Sequence, residues 1–344
     1  MVVRFEEIFG QEAAIAWLER AYEADRLPHG LLFAGPVGVG KGTTAKALGA
    51  VFLCEKPKGV RACGSCDSCR LMEAGNHPDY HVVTKELIRY HDASGKSKAI
   101  DFSIKVVRPE LIEPANRKPI LGRGKVFVVE QAELMNANAQ NAMLKTLEEP
   151  YGRTVVVLLT DQPGVLLPTI RSRCQVLRFG SLGETVVTKE LEKRGIEKGL
   201  AAEAAWYSEG SLGVALKWIE DGVIVAAREL SEQMEGLSGG QPPEDLAGWF
   251  RKAADAYAEK QLERDPLGSK DQAVREGLAV YLRIASLVFR RRLVDAREDE
   301  ERERACEAID ALARAEEYLD ANVNIPLVFQ QLAVTLDREM AGRD

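Results

Sequence analysis

A short glycine-rich segment constrains the fold of this chain more than any other part of its sequence. Residues 31–33 are an apolar strand candidate, residues 35–41 contain three glycines and end in lysine, and a helical pattern follows. Glycines let the backbone amides of such a turn point into one hollow, the next helix N-terminus adds positive potential, and the lysine can reach the outer phosphates of a nucleotide. The segment therefore predicts a phosphate-binding loop. Its candidate contacts are Gly35, Gly38, Gly40 and Lys41.

The pattern of apolar residues predicts an α/β part followed by helical parts. The strand candidates 31–33, 80–83, 126–129 and 155–159 are continuous apolar runs, as in a parallel sheet covered by helices on both faces. From about residue 180 helical segments take over, at 184–194, 200–208 and 214–219. Turn formers concentrate at 236–243, the best linker candidate. We therefore expect an α/β part over 1–179 and two helical parts over 180–238 and 239–344.

Four of the six cysteines cluster in one short segment. They are Cys54, Cys63, Cys66 and Cys69. The N-terminus lacks the apolar core of a secretory signal, so metal binding is favoured over disulfides, and free buried or redox thiols are the alternative. Four thiolates form a closed tetrahedral set for a structural Zn²⁺. Because four sulfurs fill that shell, the nearby His77 and His81 are not expected to be ligands.

The charge balance limits how the chain could meet nucleic acid or a membrane. It has 46 Lys plus Arg against 53 Asp plus Glu, a net charge of -7, so no whole-molecule positive field gathers nucleic acid. Any DNA contact must be local or shared. No apolar run approaches the roughly 18 residues of a membrane span. We expect a cytoplasmic protein.

The sequence departs from an active nucleotide site at two positions. Gly42 follows Lys41, where a Ser or Thr hydroxyl ordinarily coordinates Mg²⁺. Thr43 is one residue further on and would project about 100° away on a helix. The strand 125–129 ends in Glu130 and Gln131, and an amide cannot accept a proton as a general base. The fold of a phosphate site is thus predicted together with weak or absent ATP and Mg²⁺ binding; a glycine-rich turn kept for folding alone is the alternative.

Taken together, the motifs resemble one family. The phosphate loop and the cysteine cluster precede Leu-Met-Glu-Ala-Gly-Asn-His-Pro-Asp-Tyr at 71–80, Asn-Ala-Met-Leu-Lys-Thr-Leu-Glu-Glu-Pro at 141–150 and Arg-Ser-Arg-Cys at 171–174. This order resembles the AAA+ subunits of bacterial clamp loaders, over residues 5 to about 220. The resemblance implies an AAA+ P-loop parallel sheet with a zinc-binding insertion, a helical lid, and a helical collar domain through which five subunits assemble.

The resemblance also implies a role for one arginine. In that family ATP sites lie between neighbours, and the arginine of Ser-Arg-Cys, here Arg173, reaches the nucleotide of the adjacent subunit. Thr160 occupies the place of a polar phosphate sensor, and Gly213 the place where hydrolysing relatives carry an arginine. The implied function is a non-hydrolysing scaffold that donates Arg173 during the loading of a sliding clamp. Its implied partners are gamma/tau motor subunits, a delta subunit, the clamp, and primer-template DNA bound by the whole complex.

Two other functions stay open. One is an active ATPase motor of the same family, with Thr43 and Glu130 standing in for the usual ligands. The other is a small-molecule phosphoryl transferase that uses the same loop. The helical last hundred residues and the cysteine insertion argue against the transferase.

Overall fold

The computed structural model describes residues 3–91, 102–238, 245–321 and 323–341. The chain divides into two compact units, the first comprising Met1–Gly195 and Ser208–Val214 and the second comprising Ile196–Tyr207 and Ala215–Asp344. Residues 239–243 of the linker candidate lie outside the described residues, and residues 236–238 end a helix. The three-part division expected from the sequence stays a prediction.

The first unit is built on a five-stranded sheet within the described residues. Its strands are β1 (Gly30–Ala34), β2 (Tyr80–Val83), β3 (Lys125–Val129), β4 (Thr154–Thr160) and β5 (Gln175–Arg178). Its helices are α1 (Glu12–Glu23), α2 (Lys41–Leu53), α3 (Asp67–Glu73), α4 (Ile88–His91), α5 (Ile104–Val107), α6 (Glu113–Ala115), α7 (Ala137–Glu148), α8 (Pro168–Arg171) and α9 (Glu184–Lys193). A π turn, Arg108–Ile112, joins α5 to α6.

The sheet is parallel throughout, with the strand order β2-β3-β4-β1-β5. In register, Gly30 pairs with Val156 of β4, and Leu31 pairs with Gln175 of β5. All five strands therefore end at the same edge of the sheet, where the loop that follows β1 lies. Their starts form the opposite edge.

Strands β1, β3 and β4 contribute to a separate core on each face of the sheet. Leu31 and Phe33 pack with Leu48 of α2, whereas Leu32 packs on the other face with Met143 of α7. Since both faces are covered, β1, β3 and β4 are buried along their whole length. This confirms the α/β class and the four strands expected from apolar runs. The fifth strand, β5, was not predicted, because only Leu177 of its residues is buried.

The second unit is helical in its described residues. The remaining helices are α10 (Lys198–Tyr207), α11 (Leu212–Glu220), α12 (Val223–Ser238), α13 (Leu246–Arg264), α14 (Lys270–Asp295), α15 (Asp299–Asp320) and α16 (Ile325–Ala341). The first three residues of α11 belong to the first unit. Helices α13 to α16 pack in sequence order around buried aromatic residues such as Phe250 and Phe289. Among the described helices, none is both long and apolar enough to span a bilayer.

Candidate functional site

The glycine-rich loop joins the end of β1 to the start of α2, as predicted. Gly38 has a φ of 76° and Gly40 a φ of 104°, both in the left-handed region that favours glycine. Helix α2 begins directly at Lys41. The backbone therefore has the form of a phosphate-binding loop at a helix N-terminus.

Lys41 is buried beneath this loop and bonded to it. Its side-chain Nζ donates to the carbonyl of Gly35 and, at 2.7 Å, to that of Pro36. Burial lowers the pKa of Lys41, an effect that the carboxylates of Asp161 and Glu133 oppose. The lysine thus lies among acidic groups and takes carbonyl partners from the loop itself.

The first residues of α2 after the lysine include no hydroxyl suited to a metal. Gly42 carries none, and the side chain of Thr43 is exposed. The hydroxyl of Thr44 donates to the carbonyl of Gly40 at 2.8 Å and is buried. A Cβ placed on Gly42 would meet only Leu159, at 3.8 Å, so the position has room for a side chain. The absence of the hydroxyl is a feature of the sequence and is not imposed by crowding.

The edge beside the loop carries Glu130, which the sequence had indicated, and two further carboxylates, Glu133 and Asp161, which it had not. Glu130 lies exposed at the end of β3, and the next residue, Gln131, has a φ of 49°. Glu133 is half-buried. Burial raises its pKa, and the neighbouring Thr160 side chain acts against that rise. Asp161 raises the pKa of Glu133 further. The sequence signal for Asp161 was its position directly after Thr160.

Thr160 is buried at the end of β4, where the resemblance implies a phosphate sensor. Its hydroxyl oxygen accepts the amide of Gln162 at 3.1 Å. Thr160 therefore takes a partner within the chain, as a strand-end hydroxyl does. Its role as a sensor stays a prediction.

The carbonyls of the phosphate loop are bonded to residues 208–214 of the same unit. The hydroxyl of Ser211 donates to the carbonyl of Val37 at 2.7 Å, and the amide of Gly213 donates to the carbonyl of Gly38 at 2.9 Å. The loop is therefore fastened to this segment by two hydrogen bonds. Neither partner is near the loop in sequence.

Gly213 approaches the loop so closely that no side chain fits there. A Cβ on Gly213 would lie 2.9 Å from both the Cα and the carbonyl oxygen of Gly38. An arginine, which hydrolysing relatives carry at this position by the resemblance, would displace the loop. The substitution and the packing of the loop are therefore linked.

The side chain of Gln11 also forms a hydrogen bond with the phosphate loop. Its amide nitrogen donates to the carbonyls of Val39 at 3.1 Å and Gly180 at 2.8 Å, while its oxygen accepts the amide of Gly180 at 3.1 Å. The side chain is buried. Sequence reasoning missed Gln11, because its partners lie far away along the chain.

The four predicted cysteines converge on one point. Among the described residues, Cys54, Cys63, Cys66 and Cys69 place their sulfurs within 4.8 Å of one another. The Cys54–Cys66 and Cys63–Cys69 sulfur pairs are each 3.9 Å apart. Sulfurs at about 2.3 Å from a tetrahedral Zn²⁺ are separated by about 3.8 Å, so the spacing fits such an ion. None of the four forms a disulfide.

Backbone amides support these sulfurs. The amides of Cys63, Cys66 and Cys69 donate to the sulfurs of Cys54, Cys63 and Cys66 at 3.3, 3.4 and 3.4 Å. Such bonds stabilise thiolates, which is the form that binds metal. This cluster can hold a metal ion.

His77 lies near the cluster and has other partners. Its Nε2 and the hydroxyl of Ser68 are 2.9 Å apart, and that hydroxyl donates to the carbonyl of Leu53 at 2.8 Å. The other ring nitrogen accepts the amide of Asp79 at 3.1 Å. Both ring nitrogens are engaged, as expected for a histidine with a structural role.

Arg173 lies between α8 and β5, at the edge of the sheet opposite the phosphate loop. A Cβ on Gly30, the first residue of β1, would lie 2.9 Å from the carbonyl oxygen of Arg173. The phosphate loop begins after the last residue of β1, and five residues at about 3.3 Å each put roughly 15 Å of strand between the two sites. The structure therefore does not bring Arg173 together with Lys41.

The surroundings of Arg173 combine a fixed backbone with an accessible side chain. Its side chain is 34% exposed and forms an ion pair with Glu148. The next residue, Cys174, is buried, and burial raises the pKa of its thiol to about 12. A thiol with that pKa stays neutral, so Cys174 acts as a small apolar anchor for the loop that carries the arginine.

Fold and site together define the class of protein. A five-stranded parallel sheet in this order, with a glycine-rich loop after β1 and a four-cysteine insertion after α2, is a P-loop sheet of the AAA+ type. The family model described as "DNA polymerase III, delta subunit" matches residues 10–183, and the chain belongs to that family. This confirms the family resemblance inferred from the motifs.

Individual relatives agree with this assignment. The chain is 42% identical over 146 residues to DNA polymerase III subunit delta' of Pseudomonas aeruginosa, covering 42% of this chain and 41% of that protein. It is 40% identical over 200 residues to DNA polymerase III subunit delta' of Escherichia coli, covering 58% and 57%. With DNA polymerase III subunit tau/gamma of Haemophilus influenzae it is 28% identical over 236 residues, covering 67% and 32%. The match thus spans about half the length of the two delta' relatives.

Proposed function

We propose that this chain is a clamp-loader subunit of a bacterial DNA polymerase III, of the delta' kind. In this proposal it hydrolyses no ATP and donates Arg173 to the nucleotide of a neighbouring subunit. An arginine that reaches a γ-phosphate in this way stabilises charge in the transition state and is worth roughly 10³ to 10⁵ in rate.

The position of Arg173 carries the proposal. It lies at the start of β1, whereas the phosphate loop of the same chain follows the end of β1. An arginine at that edge cannot act on a nucleotide held by its own loop, because the whole strand separates the two sites. Its partly exposed guanidinium can therefore meet a nucleotide only if another molecule supplies it.

The chain's own nucleotide site supports the non-hydrolysing part of the proposal. Gly42 provides no metal-binding hydroxyl and Gln131 provides no general base. Residue 213 has no room for an arginine while the loop keeps its present contacts. One loss could be neutral, whereas three at one site argue that hydrolysis is not its task.

The proposal extends to metal and partners. We assign the four-cysteine cluster to a structural Zn²⁺, since four thiolates close the coordination shell and leave no open position for a substrate. The partners proposed are gamma/tau motor subunits, a delta subunit, the sliding clamp and primer-template DNA, with the DNA held mainly through phosphates by the complex as a whole. A cytoplasmic location stays a prediction.

The test is single-turnover ATP hydrolysis by a complex reassembled from this chain and the gamma/tau and delta subunits of the same organism. Arg173→Ala should slow one kinetic phase by about 10³-fold or more while the complex still assembles. Arg171→Ala, which changes an exposed arginine two residues away, is the matched control and should leave every phase intact. Unchanged hydrolysis with Arg173→Ala would contradict the proposal.

A measurement on the isolated chain decides between the scaffold and the active motor. The isolated chain with Mg²⁺ and ATP should show no turnover above that of Lys41→Ala. Steady turnover that this substitution abolishes would support the active ATPase motor instead.

A further inference from the structure

We propose that Glu148 is a positioning residue for Arg173. It lies at the end of α7 and fixes the orientation in which the guanidinium is presented to the neighbouring subunit's nucleotide. This inference rests on the proposed function, since it assigns a second residue to the same event. Glu148 itself touches neither nucleotide nor reacting atoms, and acts only through the arginine.

The contacts of the guanidinium carry the inference. Both Nε and Nη2 of Arg173 bond to Oε1 of Glu148, and Nη1 donates to the carbonyl of Thr169 at 3.1 Å. Two elements, α7 and α8, thus hold one planar group along two of its sides. A planar fork with both sides bonded has one orientation, whereas a free arginine side chain samples many rotamers.

The backbone beneath this side chain is already fixed. The amide of Arg173 donates to the carbonyl of Ile170 at 3.1 Å, and its carbonyl oxygen lies against Gly30. Because backbone position is set by these contacts, the remaining freedom is that of the side chain. Glu148 is the side chain that removes it, among the described residues.

Donors remain for a phosphate after these bonds are made. A guanidinium has five N–H groups. Glu148 and Thr169 account for three of them among the described contacts, one each at Nε, Nη1 and Nη2. One N–H on each terminal nitrogen is left, which suits two oxygens of a phosphoryl group.

The exposure of the pair argues that it is not kept for stability. The side chain of Glu148 is 47% exposed, and exposed ion pairs contribute little to folding. Variants of Glu148 should therefore fold and assemble normally. An effect of such variants on hydrolysis would then come from the orientation of Arg173.

The test uses the reassembled complex and the kinetic phase that Arg173→Ala removes. Glu148→Ala should slow that phase by roughly 10- to 100-fold, the range expected from misplacing a positioned group, with no change in the ATP concentration for half-maximal rate. Glu148→Gln, which keeps an acceptor oxygen, should slow it less. Glu149→Gln, a change of the adjacent exposed carboxylate, is the matched control and should have no effect.

Coupling separates positioning from a structural effect. In the Arg173→Ala background, Glu148→Ala should cause no further loss, because nothing is left to position. Additive losses, an effect of Glu149→Gln equal to that of Glu148→Gln, or a faster phase in Glu148→Ala would overturn the inference. If Arg173→Ala removes no phase at all, the proposed function fails instead, so the two failures are distinct.

A second readout needs no partner. In the intact chain, the Nε–H proton of Arg173, identified by its absence in Arg173→Ala, should be protected from exchange with water in NMR spectra. Glu148→Gln should weaken and Glu148→Ala should remove that protection, while Glu149→Gln preserves it. An unprotected Nε–H proton in the unsubstituted chain would overturn the inference whatever the complex does.

Discussion

The four-cysteine cluster and the phosphate loop lie at opposite ends of the same helix, α2, and differ in what their side chains contact. The four sulfurs converge, with sulfur pairs 3.9 Å apart. In the loop, by contrast, Lys41 and the carbonyls of Val37 and Gly38 are bonded to other groups of the chain. The four sulfurs face one another, whereas the lysine of the loop takes its partners from the protein.

This difference shows what a motif establishes. A metal site consists of side chains whose types and spacing are the chemistry, so a matching pattern is strong evidence for the function. A phosphate loop is mostly backbone, and its form follows from glycine conformation alone. The chain can keep that form while losing the few side chains that carry out hydrolysis.

The largest expected effect is at the cysteine cluster. Metal binding to such a module contributes on the order of 10 kcal/mol to its local folding, so Cys66→Ser should release the metal and unfold the segment around it. Metal content per chain and thermal unfolding with and without chelator measure both. Cys306→Ser, which alters an exposed cysteine of α15, is the matched control. A metal-to-protein ratio near zero in chain purified without chelator would remove the zinc assignment.

A smaller effect is expected where residues 208–214 meet the loop. In Gly213→Ala the new Cβ would lie 2.9 Å from the Cα of Gly38. Such overpacking costs about 1–3 kcal/mol, offset by a gain of roughly 1 kcal/mol in helix propensity. We expect a net decrease of about 1 kcal/mol in the free energy of unfolding, measured by denaturant titration. An increase would show that the loop yields easily.

The smallest effect has the opposite sign. Gly42→Ala adds a Cβ that meets Leu159 at an ordinary 3.8 Å, within helix α2. Replacing a helical glycine by alanine should raise the free energy of unfolding by up to about 1 kcal/mol. The same titration measures it, with Gly213→Ala as the contrasting variant. If both variants changed stability in the same direction, the distinction between an open and a closed position would fail.

Local signals in the sequence predicted much of the fold. Continuous apolar runs predicted β1 to β4, and the helical patterns at 184–194, 200–208 and 214–219 correspond to α9, α10 and α11. The edge strand β5 was missed, because most of its residues are exposed and its pattern is not apolar. Periodicity reports burial, and an edge strand with little burial escapes it.

The sequence predicted those parts of the candidate site whose residues lie close together along the chain, and it missed those whose partners are distant. The cysteines lie within one short segment and were all identified. Gln11 and Ser211 contact partners 169 and 174 residues away, and no sequence pattern indicates such pairs. Glu148 lies within the motif at 141–150, yet its bond to Arg173, 25 residues further along the chain, is visible only in the structure. The roles of Arg173, Thr160 and Glu130 stay predictions.

The direction of the sheet has a consequence for assembly. Because all five strands are parallel, the two edges of the sheet differ. The phosphate loop lies at the edge where the strands end, which we call the head, and Arg173 lies at the edge where they start, which we call the tail. Copies or relatives that meet head to tail form heterologous contacts, which build rings or open spirals. Under the function proposed above, a member whose loop hydrolyses no ATP and whose opposite edge donates Arg173 leaves one junction of such a ring without hydrolysis. That junction would mark one defined position in an otherwise repetitive ring.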